Sequence, residues 1–385
     1  MRITQIDKHV MYAGWRNWVF VCVSTDNGLQ GVGEATLEGR ELAVLGAIDD
    51  LSRYLLGRDP FDIERHWHQM YHDGFWSHGP VLLTAISALE VAMWDIIGQA
   101  LGQPIYNLLG GRVRDAAPVY ANGWYFGAHS PEEFAERACE TVERGFVALK
   151  WDPFGHASVH LSREEEELAL ERVAAVRRAV GPRVRLMVEA HGRFSVSEAI
   201  RIARLLAPFD CYWYEEPVPP ANLEALAEVT RHSPIPTAAG ERAYTRYEYA
   251  GLLARQAVRV IQPDVIHAGG MLEARKIAAM ADAWHVPVAP HNPNGPVAAA
   301  ATLHLIAGLR NFLVLEMLVN DPPWRELVLE PALEVRDGYL RLPDGPGLGA
   351  RLNLEEVKRH PYQPRDLHFL SEGSVLDSPI HREGG

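Results

Sequence analysis

Glu189, Glu215, Glu241, Asp264 and His291 each stand at the end of a short apolar run, in LMVEAHGRF, YWYEEP, PTAAGER, RVIQPD and VPVAPH. The three glutamates recur every 26 residues, close to the length of one β-strand, loop and helix. Acids at the C-terminal ends of successive strands lie where a (β/α) barrel carries its active site. Three converging carboxylates repel unless a hard divalent cation sits between them, and all-oxygen ligands suit Mg²⁺. Glu189, Glu215 and Glu241 are therefore the expected metal ligands. Adjacent strand residues face opposite ways, so Glu215 and Glu216 cannot both enter the mouth, and the even spacing selects Glu215. Asp264 and His291 end consecutive strands. An Asp on one ring nitrogen fixes the tautomer of a His and leaves the other nitrogen as a base.

Further residues share that rim. His191, two positions beyond Glu189, reads as a general acid facing His291 across a substrate. Lys150 and Asp152 end the second strand in ALKWDPFG. Lys150 could neutralise a substrate carboxylate or an enolate oxygen, and Asp152 could touch substrate or cap a loop. Glu316, closing the last strand, could hydrogen-bond an oxygen of the intermediate if protonated. Arg193 and Arg242 are candidates for substrate oxygens, or for pairing with neighbouring acids. The parts match abstraction of a proton α to a carboxylate, which imidazole manages only when a cation and further donors stabilise the enediolate.

These residues require a barrel to position them. Residues 1–40 alternate apolar and polar, with a turn at Asp26-Asn27-Gly28 between two strands. Helical periodicity follows through ELAVLGAIDDLSRYLL and VLLTAISALEVAMWDIIGQAL. Strand and helix then alternate from about Ala117, with capping boxes at Ser130/Glu133, Ser162/Glu165 and Ser195/Glu198. The pattern predicts an α/β fold with eight parallel strands and helices after the first seven. An N-terminal α+β domain over 1–115 would precede a barrel over 116–320. A Pro/Gly-rich segment over 321–385 would pack back on the first domain, with Leu367 to Gly385 wrapping a surface or mobile.

A formal net charge of −13 argues against a nucleic-acid partner. Three scattered cysteines are too few for a disulfide framework or a thiolate metal site. MRITQIDKHV lacks a signal-peptide pattern and no run of about 18 apolar residues occurs, so the cytoplasm is the expected location and no membrane partner is foreseen.

In combination, E-A-H-G-R-F, E-E-P, A-A-G-E-R, I-Q-P-D-x-x-H-A-G-G, P-H-x-P-x-G-P and L-E-M resemble the enolase superfamily in its mandelate racemase/muconate lactonizing branch, over nearly the whole chain. YANGWY with ALKWDPFG is similar to gluconate dehydratases, and QPDVIHAGG with APHNPNGP to galactonate dehydratases. The resemblance implies a capping domain over a modified (β/α)7β TIM barrel, Mg²⁺ on Glu189, Glu215 and Glu241, and a His291–Asp264 base. It implies His191 as the acid for a departing 3-hydroxyl, a small sugar acid as substrate, and a homo-oligomer, dimer or octamer. His267, within the I-Q-P-D-x-x-H motif, joins Arg193, Arg242 and Asp152 as a substrate-binding candidate. Enolase-superfamily sites pair a Lys or His base with Mg²⁺ in this way. Racemases of the branch carry a second Lys where this chain has Asp152, which disfavours racemisation and favours loss of water. Trp15, Arg16, Arg40, His72 and Trp76 fall in loops expected to fold over the mouth.

Overall fold

The alternation of the first 34 residues reflects a sheet with one face on helices. In the computed structural model, which describes residues 1–365 and Leu367, β1 (Ile3–Ala13), β2 (Arg16–Thr25) and β3 (Gln30–Glu34) form an antiparallel sheet in that order. Helices α1 (Glu41–Leu55), α2 (Ile63–Tyr71) and α3 (Pro80–Leu101) pack with it, and the short α4 (Ile105–Leu108) leads out. Two glycines let α3 lie directly on β3: a Cβ at Gly31 or Gly33 would sit 2.0 or 1.9 Å from the carbonyl oxygens of Ala92 or Ala88. Contrary to the expectation from sequence, α3 is long and apolar enough to cross a membrane. Its most apolar stretch is 83% buried inside the protein, where Glu90 and Asp95 find backbone partners.

The barrel follows as β4 (Ala116–Asn122), α5 (Pro131–Glu143), β5 (Ala148–Trp151), α6 (Arg163–Val180), β6 (Arg185–Glu189), α7 (Val196–Leu206), β7 (Cys211–Glu215), α8 (Leu223–His232), β8 (Thr237–Ala239), α9 (Thr245–Ala254), β9 (Val260–Ile261), α10 (Met271–Ala283), α11 (Pro296–Ala307) and β10 (Leu315–Leu318). Strands β4 to β9 pair in sequence order, and β10 returns to β4. The run VPVAPH, expected as a full seventh strand, is reduced to bridges at Val288 with Ile261 and Phe312. Pro287 and Pro290 flank it and have no N–H to offer the ladder.

Ser130/Glu133 and Ser162/Glu165 form complete capping boxes on α5 and α6. At α7 only half the box exists. Ser195 caps Glu198 N, while the Glu198 carboxylate accepts from Leu161 N and pairs with Arg201.

Beyond the barrel come β11 (Leu329–Glu330), β12 (Val335–Arg336), β13 (Tyr339–Arg341), β14 (Arg351–Leu352) and α12 (Leu354–Arg359). β13 pairs antiparallel with β4, and Pro361 bridges Met11 of β1. The remainder of the stretch from Leu367 to Gly385, for which a wrapping role was foreseen, lies outside the described residues.

Tyr120, Ala148, Met187, Trp213, Ala238 and Val260 from β4 to β9, with Ala289 of the bridged run and Val314 just before β10, plug the barrel. Two carboxylates from the N-terminal layer pin that layer to the barrel. Glu34 accepts from Gly295 N and Ala298 N at 2.6 and 2.9 Å, at the start of α11. Glu90 accepts from Met271 N and Leu272 N at 2.9 and 3.0 Å, at the start of α10, and from Trp94 Nε1 at 2.8 Å. Each satisfies amide groups a helix leaves unpaired, at the positive end of its dipole. Gly270 and Gly295 make room, since a Cβ there would lie 2.3 and 2.6 Å from the respective carboxylates.

Burial pushes Glu90 up to about 7 from 4.5, against the pull of its hydrogen bonds. A carboxyl that holds its proton more tightly when folded contributes most below its unfolded pKa, and that contribution is lost as pH rises through about 7. Glu90→Gln should therefore show a flatter melting temperature between pH 4.5 and 7.5 than the unmodified protein, beneath a pH-independent cost for one mismatched donor. Melting curves over that range measure it, and identical slopes would rule the coupling out.

Candidate active site

On an alternating strand, the residue two beyond a plug residue faces the same way and stands on top of the plug. That rule places Asn122, Lys150, Glu189, Glu215, Gln262, His291 and Glu316 on the floor of the mouth. Glu241 enters differently. Gly240, at φ 142, turns the chain beside Tyr249 and Gln262, which leave no space for a Cβ, and Glu241 swings in three residues past Ala238.

One carboxylate oxygen from each of Glu189, Glu215 and Glu241 lies within 4.8 Å of the others. Glu215 also accepts from Trp213 Nε1 at 2.8 Å. Lys150 Nζ sits among acids, 2.5 Å from Glu215 Oε1, 3.0 Å from Glu316 Oε1 and 3.5 Å from Glu189 Oε2. Burial, then the adjacent Glu215 charge, pushes the Glu189 carboxyl well above its usual range. Burial acts on Glu215 too, but Lys150 and a hydrogen bond from Glu189 hold it below the usual range. Lys150 remains firmly protonated, its burial outweighed by Glu215 and Glu316. One ammonium cannot neutralise this many acids, and Glu189 Oε2 accepts no hydrogen bond among the described residues. Such a donor set fits a divalent cation.

The His291 ring is anchored through Nδ1 to Asp264 Oδ2 at 2.7 Å, and its Nε2 lies 3.5 Å from Glu241 Oε2. Asp264 also accepts from Ile266 N and Asn294 Nδ2, so it serves as acceptor and Nδ1 carries the proton. Burial opposes protonation of His291, but Glu241 and then Asp264 raise it to about 10.

A second Asp–His pair adjoins the carboxylate cluster. His191 Nδ1 lies 2.7 Å from Asp152 Oδ2, and its backbone N donates to Glu189 Oε1 at 2.7 Å. Positive φ at His191, 49°, turns the ring at the strand end. Burial lowers its pKa despite the nearby Glu241.

The remaining candidate residues are drawn largely into contacts within the protein. Of the two readings of Asp152, its contacts match the loop cap. Its side chain is fully buried, accepts from Phe154 N at 2.9 Å, and holds both His191 and Arg193. The Arg193 guanidinium is likewise spent inside the wall, on Asp152 and the carbonyls of Ala190, Gly155 and Ala157. His267 is held by Thr84 of α3, Nδ1 to Oγ1 at 2.8 Å, with Nε2 3.8 Å from Asp264. The Thr84 contact ties this barrel loop to the N-terminal domain. Glu316 accepts from Asn122 Nδ2, Lys150 and Asn292 N. Lys150 is buried and paired with Glu215, Glu316 and Glu189. Arg242 forms a bidentate pair with Glu216 yet keeps 40% of its side chain exposed, so it alone of the two arginines borders the opening.

Among the loop residues, Arg16 is buried against Glu38 and Asp321. Trp15 packs on Phe126. His72 lies beside Tyr247, and Trp76 is exposed. Asn122, Gln262 and the Asp152–His191 contact were not anticipated. Strand parity could have found the first two.

Residues 9–110 match the family model for the mandelate racemase/muconate lactonizing enzyme N-terminal domain, and residues 133–357 match the enolase C-terminal domain-like model. A D-galactonate dehydratase family member from Streptomyces bingchenggensis is 36% identical, with 97% of each chain covered. A D-gluconate dehydratase from Thermoproteus tenax is also 36% identical, over 95% of this chain and 75% of its own. The crystal structure of a mandelate racemase/muconate lactonizing enzyme from Jannaschia sp. CCS1 superposes with a TM-score of 0.90 at 35% identity, covering 96% of this chain and all of that one. With a carboxylate cluster and two Asp-held imidazoles over a plugged barrel, and matches along nearly its whole length, the chain belongs to the enolase superfamily, in its mandelate racemase/muconate lactonizing branch.

Proposed function

We propose that the protein is a Mg²⁺-dependent hydro-lyase of the acid-sugar dehydratase class. Its substrate would be a six-carbon aldonate of the gluconate or galactonate type, and its product a 2-keto-3-deoxy acid. The observation that carries this reading is the attachment of two Asp-oriented imidazoles to opposite members of one carboxylate cluster, His191 beside Glu189 and His291 beside Glu241. The names of the relatives support the same class.

Glu189, Glu215 and Glu241 would hold Mg²⁺, which when bound supplies the positive charge that makes a proton α to a carboxylate acidic enough for imidazole. His291, with Nδ1 fixed on Asp264, takes that proton at Nε2. His191, with Nδ1 held by Asp152, delivers a proton from Nε2 to the 3-hydroxyl, which leaves as water. The enol left behind ketonises. Lys150 keeps the floor from accumulating negative charge, and Arg242 borders the polyol end.

Incubating Mg²⁺-loaded protein with a library of sugar acids and assaying 2-keto-3-deoxy product tests this. Activity only on amino-acid or aromatic substrates, or α-proton exchange without water loss, would defeat it. Asp152→Asn should lower kcat by about 100-fold with KM little changed; an unaltered kcat would remove His191 from the acid's role. The same reading includes a homo-oligomer, dimer or octamer, which would cover the exposed Phe75 and Trp76; sedimentation as a monomer would exclude it.

A further inference from the structure

We propose that Gln262 is a substrate-binding residue whose side-chain amide takes the α-hydroxyl of the bound acid. Gln262 is the Q of the I-Q-P-D motif and lies two residues before the Asp that orients the base. Its backbone stays on the barrel ladder, with Gln262 N donating to Ala239 O at 3.1 Å and Ala289 N to Ile261 O at 2.9 Å. Val260 belongs to the plug, so Gln262 points to the same interior, one level higher. Of the floor positions defined by that rule, Asn122, Lys150, Glu189, Glu215, His291 and Glu316 all take part in hydrogen bonds or ion pairs around the cluster. Gln262 is fully buried, yet neither Nε2 nor Oε1 has a partner among the described residues.

An amide buried with both ends unmatched is destabilising, and a ligand that matches both ends would offset that cost. The chemistry of the amide chooses among ligand groups. Nε2 donates and Oε1 accepts. A carboxylate oxygen would leave Oε1 unmatched and a cation would leave Nε2 unmatched, while a hydroxyl answers both. Depth chooses among hydroxyls. Gln262 lies on the floor between the strand leading to Glu241 and the run ending at His291, the two residues between which the dehydratase reading puts the carbon that gives up its proton. The rest of a polyol chain has to extend toward the opening. The hydroxyl on the α-carbon is the one within that layer. The choice of a hydroxy acid rests on the dehydratase reading; the placement of Gln262 does not.

Gln262→Leu separates a binding role from a structural one. Removing an unmatched amide in favour of an apolar side chain leaves stability equal or higher, so the variant should melt at or above the temperature of the unmodified protein. Binding is then measured by calorimetry on Mg²⁺-loaded protein in a His291→Asn background, with D-gluconate and 2-deoxy-D-gluconate as probes. With Gln262 present, the parent acid should bind about 10- to 100-fold tighter than its deoxy counterpart. In the Gln262→Leu variant, the two should bind within about threefold of each other. A preference for the parent that survives the substitution overturns the proposal, as does a lowered melting temperature with the preference intact. If no sugar acid is turned over by the unmodified protein, the dehydratase reading fails on its own. Gln262 is then judged by the same comparison with lactate and propionate, an α-hydroxy acid and its deoxy partner.

Discussion

His291→Asn is expected to lower kcat for aldonate dehydration by about 10⁴-fold, the upper end of what a positioned general base contributes. The amide can keep a hydrogen bond toward Asp264 but has no nitrogen lone pair with which to take a proton. Folding should survive, because Asp264 retains Ile266 N and Asn294 Nδ2. Two measurements check this: turnover of the best acid in the library, and exchange of its α-proton with D₂O. Both should vanish together. Exchange that persists while water loss stops would assign proton abstraction elsewhere, His191 being the nearest candidate across the cluster.

Chelation should have an effect of similar size. Three carboxylates gathered within 4.8 Å have Lys150 as their shared counter-charge, so removing divalent metal with EDTA should abolish activity, and Mg²⁺ should restore it. A readout independent of turnover is available. A ligand at 100 times its Kd stabilises the folded chain by about 2.7 kcal/mol, so millimolar Mg²⁺ should raise the melting temperature of the chelated protein by several degrees. Glu215→Gln, which removes one ligand charge and mismatches Lys150, should abolish that rise. A melting temperature indifferent to Mg²⁺ in the unmodified chain would mean the cluster is not a metal site.

The fold could be read in advance because its signals are local. Strand runs recur at the βα period, Ser–Glu caps open the helices, and turn residues close them. The floor could be read in part because parity along a strand is strict: a residue two beyond an apolar plug position faces the same cavity, whichever strand it comes from. Glu241 breaks parity through Gly240, and only the even spacing of the acids revealed it. Contacts between loops of different strands had no such guide. Asp152 and His191 are 39 residues apart, and nothing in either segment states that their side chains touch. For Arg193 the sequence left substrate contact and pairing with an acid open, and the choice fell to Asp152 and to carbonyls of the loops after β5 and β6. His267 depended on docking between the two layers, with Thr84 arriving from α3 183 residues earlier. Even the seventh strand was overestimated, because apolar content was counted without subtracting what its two prolines withhold from the ladder.

Glu34 and Glu90 fasten the smaller layer at two separate helix starts, and two anchorage points fix an orientation where one would leave a swivel. Loss of either carboxylate should therefore loosen the seating of the smaller layer while the other post stays in place. Replacing both carboxylates should cost more than the two single losses added together, because only the second removal frees the swivel.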